Sequence, residues 1–270
     1  MDFPDNIAFP ANRPLRLLQI TDCHLGEYPG EELLGLNTDE SFKDVLVRLA
    51  QDDADLIINT GDVSSHGHVG SYARYQALLD KVTRVPHAWI PGNHDEPSAM
   101  YDAMPGQQRI RLIDAGQWQF ILLSSHVPGQ EYGNLDQAEL AFLEQQLNAD
   151  ARPALVFMHH QPVPVGSAWI DQYIVRSHQA FFDIVDRFAQ VKGVIWGHVH
   201  QNVDRPRKHM RLLASPSTCI QFLPDSDDFA LDPAMPGYRW LELYADGRLE
   251  TGVVRIDHKN YPIDFSSPGY

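Results

Sequence analysis

The sequence predicts an α/β fold in which two stacked mixed β-sheets are flanked by helices. Short apolar runs, of the length expected for buried strands, alternate with segments whose apolar residues recur every three or four positions, as on one face of a helix. Beyond residue 200 the pattern changes to hairpins, which we interpret as a second sheet packed against the first. There is no internal repeat and no break in composition, so we predict one domain over residues 1–270.

The first half of the chain predicts crossover units. A proline-containing N-terminal arm over 1–14 leads into the first strand. Asn37, with Glu40 three residues later, then forms a capping-box pattern at the start of the first helix. The order strand, helix, strand repeats after it, which is typical of parallel pairing. The strands predicted in this half span 15–21, 56–60 and 87–91, and apolar residues at helical spacing cover 42–49 and 72–82.

The second half is less regular and ends in hairpins. Ala115-Gly116 separates two strands, and Ala245-Asp246-Gly247 predicts a tight hairpin turn near the C-terminus. A C-terminal tail over 257–270 carries proline and serine and has no strand pattern. The strands predicted here span 109–113, 117–124, 154–158, 194–196, 211–214, 218–222, 238–244 and 248–256, with helices at 140–147 and 177–188.

Charge and composition narrow the classes of partner. The net charge is −15 and the longest basic run is the broken Arg205-Pro206-Arg207-Lys208, so neither a nucleic-acid backbone nor a membrane surface is expected to bind. No apolar run approaches the ~18 residues of a membrane span, and the N-terminus lacks a signal-peptide pattern. Two cysteines are too few for a disulfide framework. We therefore expect a cytoplasmic protein with a small-molecule ligand.

Polar residues of a few types follow five of the predicted strands. The blocks are Asp22-Cys23-His24, Gly61-Asp62, Gly92-Asn93-His94-Asp95, His159-His160 and Gly197-His198-Val199-His200. Ligands bind at the carboxyl ends of strands in open α/β sheets, so we expect the five blocks to converge on one site. Oxygen and imidazole groups without thiolate suit Mn, Fe, Zn or Co better than a closed structural zinc site.

The spacing within the blocks indicates how these groups are arranged. One residue separates Asp22 from His24, and extended backbone would place both side chains on one face; the same spacing recurs in the last block. Asp62 stands alone after a glycine and suits the carboxylate that bridges two metals about 3.5–4 Å apart. Gly61 would let the backbone approach closely there. The sequence therefore predicts a two-metal centre.

The five blocks, in this order over residues 22–200, resemble the signature of the calcineurin-like metallophosphoesterases. The resemblance implies a four-layer α/β/β/α sandwich and two divalent metal ions. Fe or Mn is the expected metal, and Zn or Co is the alternative. By this resemblance the first metal is held by Asp22, His24, Asp62 and His200. The second metal is held by Asp62, Asn93, His159 and His198.

Three further stretches, at 33–38, 216–222 and 236–239, are similar to the bacterial class III 3′,5′-cyclic AMP phosphodiesterases. This resemblance implies hydrolysis of 3′,5′-cyclic AMP to 5′-AMP, in which hydroxide from a metal-activated water attacks phosphorus in line with the ribose 3′ oxygen. Asn93 and His94 would contact the substrate. His94 would also protonate the departing oxygen, with Asp95 orienting its ring.

Two other functions stay open at this stage. The metal blocks do not distinguish cyclic AMP from another phosphodiester, such as a 2′,3′-cyclic nucleotide or a glycerophosphodiester. An inactive binding scaffold is the second alternative, although all seven predicted ligands and His94 are present.

Several other residues have more than one interpretation. His160 either supports the ligands or is simply packed, and His66 and His68 are best explained as polar loop residues, with a third metal or a substrate contact as alternatives. Trp169 is the tryptophan that we consider for stacking on a base. A homodimer is a further hypothesis, with contacts from the segment 224–236 and from the C-terminal tail.

Overall fold

The computed structural model describes residues 5–103 and 109–269; residues 1–4 of the predicted arm and Tyr270 of the predicted tail lie outside them. The strands of the described chain are β1 (Leu15–Ile20), β2 (Glu32–Leu33), β3 (Leu36–Asn37), β4 (Leu56–Asn59), β5 (His87–Trp89), β6 (Leu112–Ala115), β7 (Trp118–Leu122), β8 (Ala154–Phe157), β9 (Val191–Trp196), β10 (Val203–Arg207), β11 (Met210–Ala214), β12 (Gln221–Phe222), β13 (Leu231–Asp232), β14 (Gly237–Leu243) and β15 (Leu249–Arg255). The helices are α1 (Thr38–Leu49), α2 (Val69–Val82), α3 (Pro97–Asp102), α4 (Gln137–Ala149), α5 (Ala168–Asp171) and α6 (His178–Val185).

Two large sheets form the centre of the described chain. The first has the strand order β15-β14-β1-β4-β5, and the second has the order β10-β11-β9-β8-β7-β6. In the first sheet β1, β4 and β5 are parallel, whereas β14 is antiparallel to β1, with Leu15 opposite Leu243 and Gln19 opposite Arg239. Residues from both ends of the described chain thus share one sheet, and the single domain over 1–270 stays a prediction.

The prediction that the C-terminal hairpins form a sheet of their own is wrong. β14 and β15 extend the first sheet, whereas β10 and β11 extend the sheet that contains β6 to β9. Alternating polarity identifies the buried face of a strand but not its neighbours, because long-range packing chooses those. β10 was not predicted; its polar side chains and Pro206 are typical of an edge strand. The strand predicted over 218–222 is reduced to β12.

Helices cover the outer face of each sheet. Leu18 and Ile57 face outward from the first sheet, where they pack with residues of α1 and α2. Val156 faces outward from the second sheet into a cluster that includes residues of α4 and α6. Leu17 and Ile58, next along the same strands, belong to a third cluster between the two sheets. The predicted four-layer α/β/β/α sandwich is confirmed.

Hydrogen bonds fix the start of α1 and the described part of the arm. The side-chain oxygen of Asn37 accepts a hydrogen bond from the amide of Glu40 at 3.0 Å, as the capping-box pattern predicts. Ile7 in the arm donates its amide to the carbonyl oxygen of Asp114 at 2.7 Å, which joins the arm to β6. None of the helices within the described ranges is long and apolar enough to cross a bilayer.

Two buried polar side chains join the sheets near the carboxyl ends of β1 and β9. Gln19 Nε2 donates to the carbonyl oxygen of Trp196 at 2.9 Å. Arg239, opposite Gln19 on β14, donates to the carbonyl oxygens of Ala214 at 2.8 Å and Val203 at 3.0 Å. Burial lowers the pKa of Arg239 to about 10, which keeps the guanidinium charged at neutral pH. These contacts fix the separation of the sheets beside the strand ends.

Replacing Arg239 with methionine is expected to destabilise the protein by about 2–4 kcal/mol, because buried carbonyl oxygens lose their donor. Urea unfolding followed by tryptophan fluorescence measures this free energy. Arg248→Met is the matched control, because Arg248 is half exposed and should change stability by less than about 0.5 kcal/mol. Equal effects of the two substitutions would contradict the bridging role of Arg239.

Candidate metal centre

The five polar blocks meet at one edge of the sandwich, although they come from two sheets rather than one. Three blocks follow β1, β4 and β5 of the first sheet, and two follow β8 and β9 of the second. The amide of Asp22 donates to the carbonyl oxygen of Gly61 at 2.9 Å, which joins two loops of the first sheet. The amide of His198 lies 3.1 Å from each carboxylate oxygen of Asp22 and so joins the sheets. All seven predicted ligands are brought together here.

Left-handed backbone directs most of these side chains toward the centre. Five of the seven predicted ligands have a positive φ, namely Asp22 at 54°, His24 at 46°, Asp62 at 53°, His198 at 64° and His200 at 47°. The prediction of extended backbone around Cys23 and Val199 is therefore wrong, although both intervening side chains are buried. A positive φ costs a residue other than glycine roughly 1–2 kcal/mol, and the hydrogen bonds between the loops hold this conformation.

Glycine is required beside the ligands because the loops touch. Gly61 has a φ of +108°, and a Cβ built on it would lie 2.5 Å from His159 Nδ1 and 2.7 Å from the amide nitrogen of Gly92. A Cβ on Gly92 would in turn overlap the Asp62 carboxylate. The predicted close approach of the backbone at Gly61 is therefore observed. A side chain at this position would displace the His159 ring.

We expect Gly61→Ala to weaken metal binding by roughly 10–100-fold, because it displaces His159 from its supporting contact. Titration of metal-free protein against a chromophoric chelator measures this affinity. Gly129→Ala is the control, since Gly129 also has a positive φ of 69° but nothing lies within 4 Å of a Cβ there. A similar loss of affinity in both variants would mean that backbone strain, and not crowding of His159, causes the effect.

The first group of ligands lies around His24 and His200. Their Nε2 atoms are 3.3 Å apart, and His200 Nε2 is 3.4 Å from Asp22 Oδ1. His24 Nε2 is 3.8 Å from Asp62 Oδ2. Ligand atoms that each lie ~2.0–2.2 Å from one ion are separated by roughly 3–4 Å, depending on the angle at the ion, so these atoms fit a shared cation.

The second group is centred on His159. Its Nε2 lies 3.1 Å from Asn93 Oδ1 and 3.2 Å from Asp62 Oδ2. The ring of His198 is 5.1 Å from that of His159 between centroids. The buried Nε2 of His198 makes no hydrogen bond within the described residues. A buried polar atom without a partner is costly, and a cation at this point would satisfy it. Asp62 belongs to both groups.

Backbone carbonyls orient two of the imidazole rings. His159 Nδ1 donates to the carbonyl oxygen of Thr60 at 2.7 Å, and His200 Nδ1 donates to that of Ile220 at 2.9 Å. Each contact leaves Nε2 to face the centre, as is usual for metal-ligating histidines. These carbonyl contacts were not predicted, because every residue has a backbone carbonyl and its side chain does not show which one orients a ring.

Burial and neighbouring charges set the protonation of the site. Burial lowers the pKa of His24 and of His198 well below the usual range, so both rings are neutral at pH 7, the form that binds metals. Burial would also lower the pKa of His159, but the Asp62 carboxylate outweighs it and raises this pKa to about 9. Burial would raise the pKa of Asp62, and the imidazole rings around it hold that pKa well below its usual range. The centre is thus built around a buried carboxylate that favours a cation.

His94 and Asp95 lie beside the ligands and have different contacts. His94 lines a cavity, and its Nδ1 donates to the carbonyl oxygen of Ser65 at 3.1 Å. Asp95 is buried, and its carboxylate accepts hydrogen bonds from the amides of Gly92, Ser64 and Val63 and from the hydroxyl of Tyr72. These contacts correct the prediction that Asp95 orients the His94 ring. The ring contact is made by Ser65, whereas Asp95 fixes the loop that carries Asn93 and His94.

The other histidines of interest also have defined surroundings. His160 packs its ring 4.8 Å from His159 and 4.7 Å from His198 between centroids. The Ser125 hydroxyl lies 2.8 Å from His160 Nδ1, and His160 Nε2 lies 3.1 Å from the Glu131 carbonyl oxygen, so these contacts fix the His160 ring against the rings of His159 and His198. His68 is exposed and lies 3.5 Å from the Glu27 carboxylate, while His66 lines a small cleft beside His24.

A cavity of about 230 Å³ opens beside the second ligand group. Asn93, His94 and His198 form one part of its wall. Trp169, which the sequence analysis considered for base stacking, forms another part together with Phe229. Phe229 was not predicted, because it is brought there by a loop that has no periodic pattern.

Comparison with known proteins agrees with the fold. The family model described as calcineurin-like phosphoesterase matches residues 15–202, which include all five ligand blocks. The chain therefore belongs to the calcineurin-like phosphoesterase family. A dimetal phosphatase from Danio rerio has a similar fold, with a TM-score of 0.62 at 15% identity over 91% of this chain and 100% of that one.

Two bacterial relatives match over nearly their whole length. This chain is 43% identical over 258 residues to the 3′,5′-cyclic adenosine monophosphate phosphodiesterase CpdA of Pseudomonas aeruginosa, covering 94% of each chain. It is 41% identical over 264 residues to the protein of the same name from Escherichia coli, covering 95% of each chain.

Proposed function

We propose that this protein is a metal-dependent phosphodiesterase that hydrolyses 3′,5′-cyclic AMP to 5′-AMP. The observation that carries the proposal is the position of Asp62, which lies between two groups of oxygen and imidazole ligands. Two cations that share a carboxylate are suited to phosphodiester hydrolysis. The names of the Pseudomonas aeruginosa and Escherichia coli relatives, matched at about 40% identity, support a cyclic nucleotide as the substrate.

The residues present fit two divalent cations. We assign Asp22, His24, Asp62 and His200 to one ion, and Asp62, Asn93, His159 and His198 to the other. Such a pair, when bound, supplies Lewis-acid stabilisation of the phosphate oxygens and lowers the pKa of a coordinated water. The donor set favours Fe or Mn, with Zn or Co as alternatives, because it consists of carboxylate, amide and imidazole groups.

The chain's own groups bind the ester and move a proton. His94 holds its Nδ1 proton on the Ser65 carbonyl, so Nε2 is the atom that donates to the departing 3′ oxygen. Asn93 turns Oδ1 toward His159, and its amide nitrogen donates to a phosphate oxygen. Asp95 positions both residues by accepting the amide of Gly92 at 2.9 Å.

Metal-restored hydrolysis tests the proposal. Chelator-treated protein is supplied with Mn²⁺ or Fe²⁺ and assayed with 3′,5′-cyclic AMP, cyclic GMP, 2′,3′-cyclic AMP and methyl p-nitrophenyl phosphate. We expect metal-dependent formation of 5′-AMP at a kcat/KM well above that for the aryl ester. Turnover of the aryl ester or of the 2′,3′-cyclic nucleotide without 3′,5′-cyclic AMP turnover would reject the substrate and keep the metal centre. No turnover with any metal would favour a binding scaffold.

The cytoplasmic location, the homodimer and the absence of nucleic-acid and membrane partners stay predictions. Phe229 and Pro268 come from the two segments that the sequence analysis considered for subunit contact, and both line the cavity of their own chain. Sedimentation of the purified protein would measure the oligomeric state directly.

A further inference from the structure

We propose that the cavity beside the metal centre is a nucleobase subsite and that the C-terminal tail forms part of its wall. In this arrangement Trp169 and Phe229 contact the base, and Pro268 and Gly269 enclose it. The inference rests on the proposed function, because it assumes that the phosphodiester carries a base.

The aromatic part of the wall is held at a fixed distance from the metal ligands. The Trp169 ring, on α5, makes edge-on contacts with Phe222 at 4.9 Å and Phe229 at 5.0 Å between centroids. Phe222 in turn stacks on His200, with 4.0 Å between centroids and 9° between ring planes. A continuous set of packed rings therefore runs from a proposed ligand of the first metal to the cavity. A base that stacks on this wall would be positioned relative to the metals by rigid contacts.

The cavity has a polar side and an aromatic side, which match the phosphate and the base of a cyclic nucleotide. Asn93, His94 and His198 lie on the metal side, where the phosphate belongs. The aromatic wall offers a surface for the flat face of a base, since stacking needs only an exposed ring. Glu131 also lines the cavity, and its negative charge would repel a second phosphate group. At about 230 Å³ the cavity is smaller than the ~300–1,000 Å³ typical of drug-sized ligands, which favours a single small nucleotide.

The tail reaches this cavity through specific contacts upstream of the residues that line it. Lys259 Nζ lies 2.6 Å from the Asp44 carboxylate on α1, and the Tyr261 hydroxyl donates to the same carboxylate at 2.6 Å. The amide of Asp264 then donates to the carbonyl oxygen of Leu34 at 2.9 Å. The tail is thus fixed to the body of the protein on both α1 and the β2–β3 turn before it reaches the cavity.

Substitution of Trp169 tests the aromatic wall. Methyl p-nitrophenyl phosphate serves as a diester without a nucleobase, and kcat and KM are measured for it and for 3′,5′-cyclic AMP. Trp169→Leu is expected to raise KM for cyclic AMP roughly tenfold or more, since base stacking on an aromatic ring is lost, and to change kcat little. The ratio of kcat/KM for cyclic AMP to that for the base-free diester should fall by the same factor. Trp169→Phe, which keeps an aromatic face, should restore most of the ratio.

Deletion of residues 267–270 tests the tail while keeping the anchors Lys259, Tyr261 and Asp264. The same ratio of kcat/KM values should fall severalfold, whereas Phe265→Ser, which changes a half-exposed residue just upstream, should leave it unchanged. If the wild-type protein hydrolyses cyclic AMP and neither Trp169→Leu nor the deletion changes the ratio, the subsite is rejected and the function stands. If the wild type hydrolyses only the base-free diester, both are rejected.

Discussion

Replacing His94 with alanine is expected to lower kcat for 3′,5′-cyclic AMP by about 10²–10⁴-fold, while the metal content stays at the wild-type value. His94 lines the cavity next to the ligands, and its ring is fixed through Nδ1 by the Ser65 carbonyl. We assign it to neither metal, so its loss removes a proton donor and not a ligand. Steady-state kinetics with metal-saturated protein, and metal analysis of the same sample, measure the two quantities.

A second substrate with a different leaving group distinguishes proton donation by His94 from charge stabilisation. p-Nitrophenolate departs without a proton, so His94→Ala should reduce turnover of methyl p-nitrophenyl phosphate less than that of cyclic AMP. Equal losses on both substrates would mean that His94 stabilises charge but does not protonate the leaving oxygen. His209→Ala, which removes an exposed histidine in the turn between β10 and β11, is the control and should change neither rate. Loss of metal from His94→Ala would contradict the proposed role altogether.

The candidate ligands could be selected from the sequence because each is a polar side chain just after a short apolar run. Asp62, for example, follows the buried strand Leu56–Asn59 and a glycine whose φ is positive. The four-layer fold could also be anticipated, because strand and helix periodicities are local properties. The close approach at Gly61 could be predicted as well, because only a residue without a side chain permits contact with the His159 ring.

Features that depend on the distant chain or on the backbone could not be predicted in this way. The pairing of β14 with β1 joins residues more than two hundred positions apart, and no local pattern encodes it. The carbonyl oxygens of Thr60, Ile220 and Ser65 orient histidine rings, but their side chains carry no sign of that role. Phe229 lines the cavity because of the conformation of its loop, which has no periodic sequence pattern.

Replacing Asp62 with asparagine is expected to lower phosphodiesterase activity by about 10³-fold or more and to leave fewer than two metal ions per chain. Asp62 Oδ2 lies 3.2 Å from His159 Nε2 and 3.8 Å from His24 Nε2, so one carboxylate serves both ligand groups. A neutral amide offers one acceptor oxygen in place of two and no charge. Two metals that share a carboxylate would contribute several kcal/mol to catalysis, which corresponds to roughly three orders of magnitude in rate. Metal analysis after dialysis and steady-state kinetics measure both effects.

Asp95→Asn is the matched control, because it makes the same chemical change at a second buried carboxylate nearby. Asp95 accepts hydrogen bonds from backbone amides and from Tyr72, and is not assigned to a metal. We therefore expect Asp95→Asn to retain both metals and to lose about 1–3 kcal/mol of stability, because an amide satisfies fewer of these donors. If both variants lost metal equally, negative charge near the loops would govern binding, and Asp62 would not act as the shared ligand. If only Asp62→Asn lost metal, the shared position of its carboxylate would explain the difference.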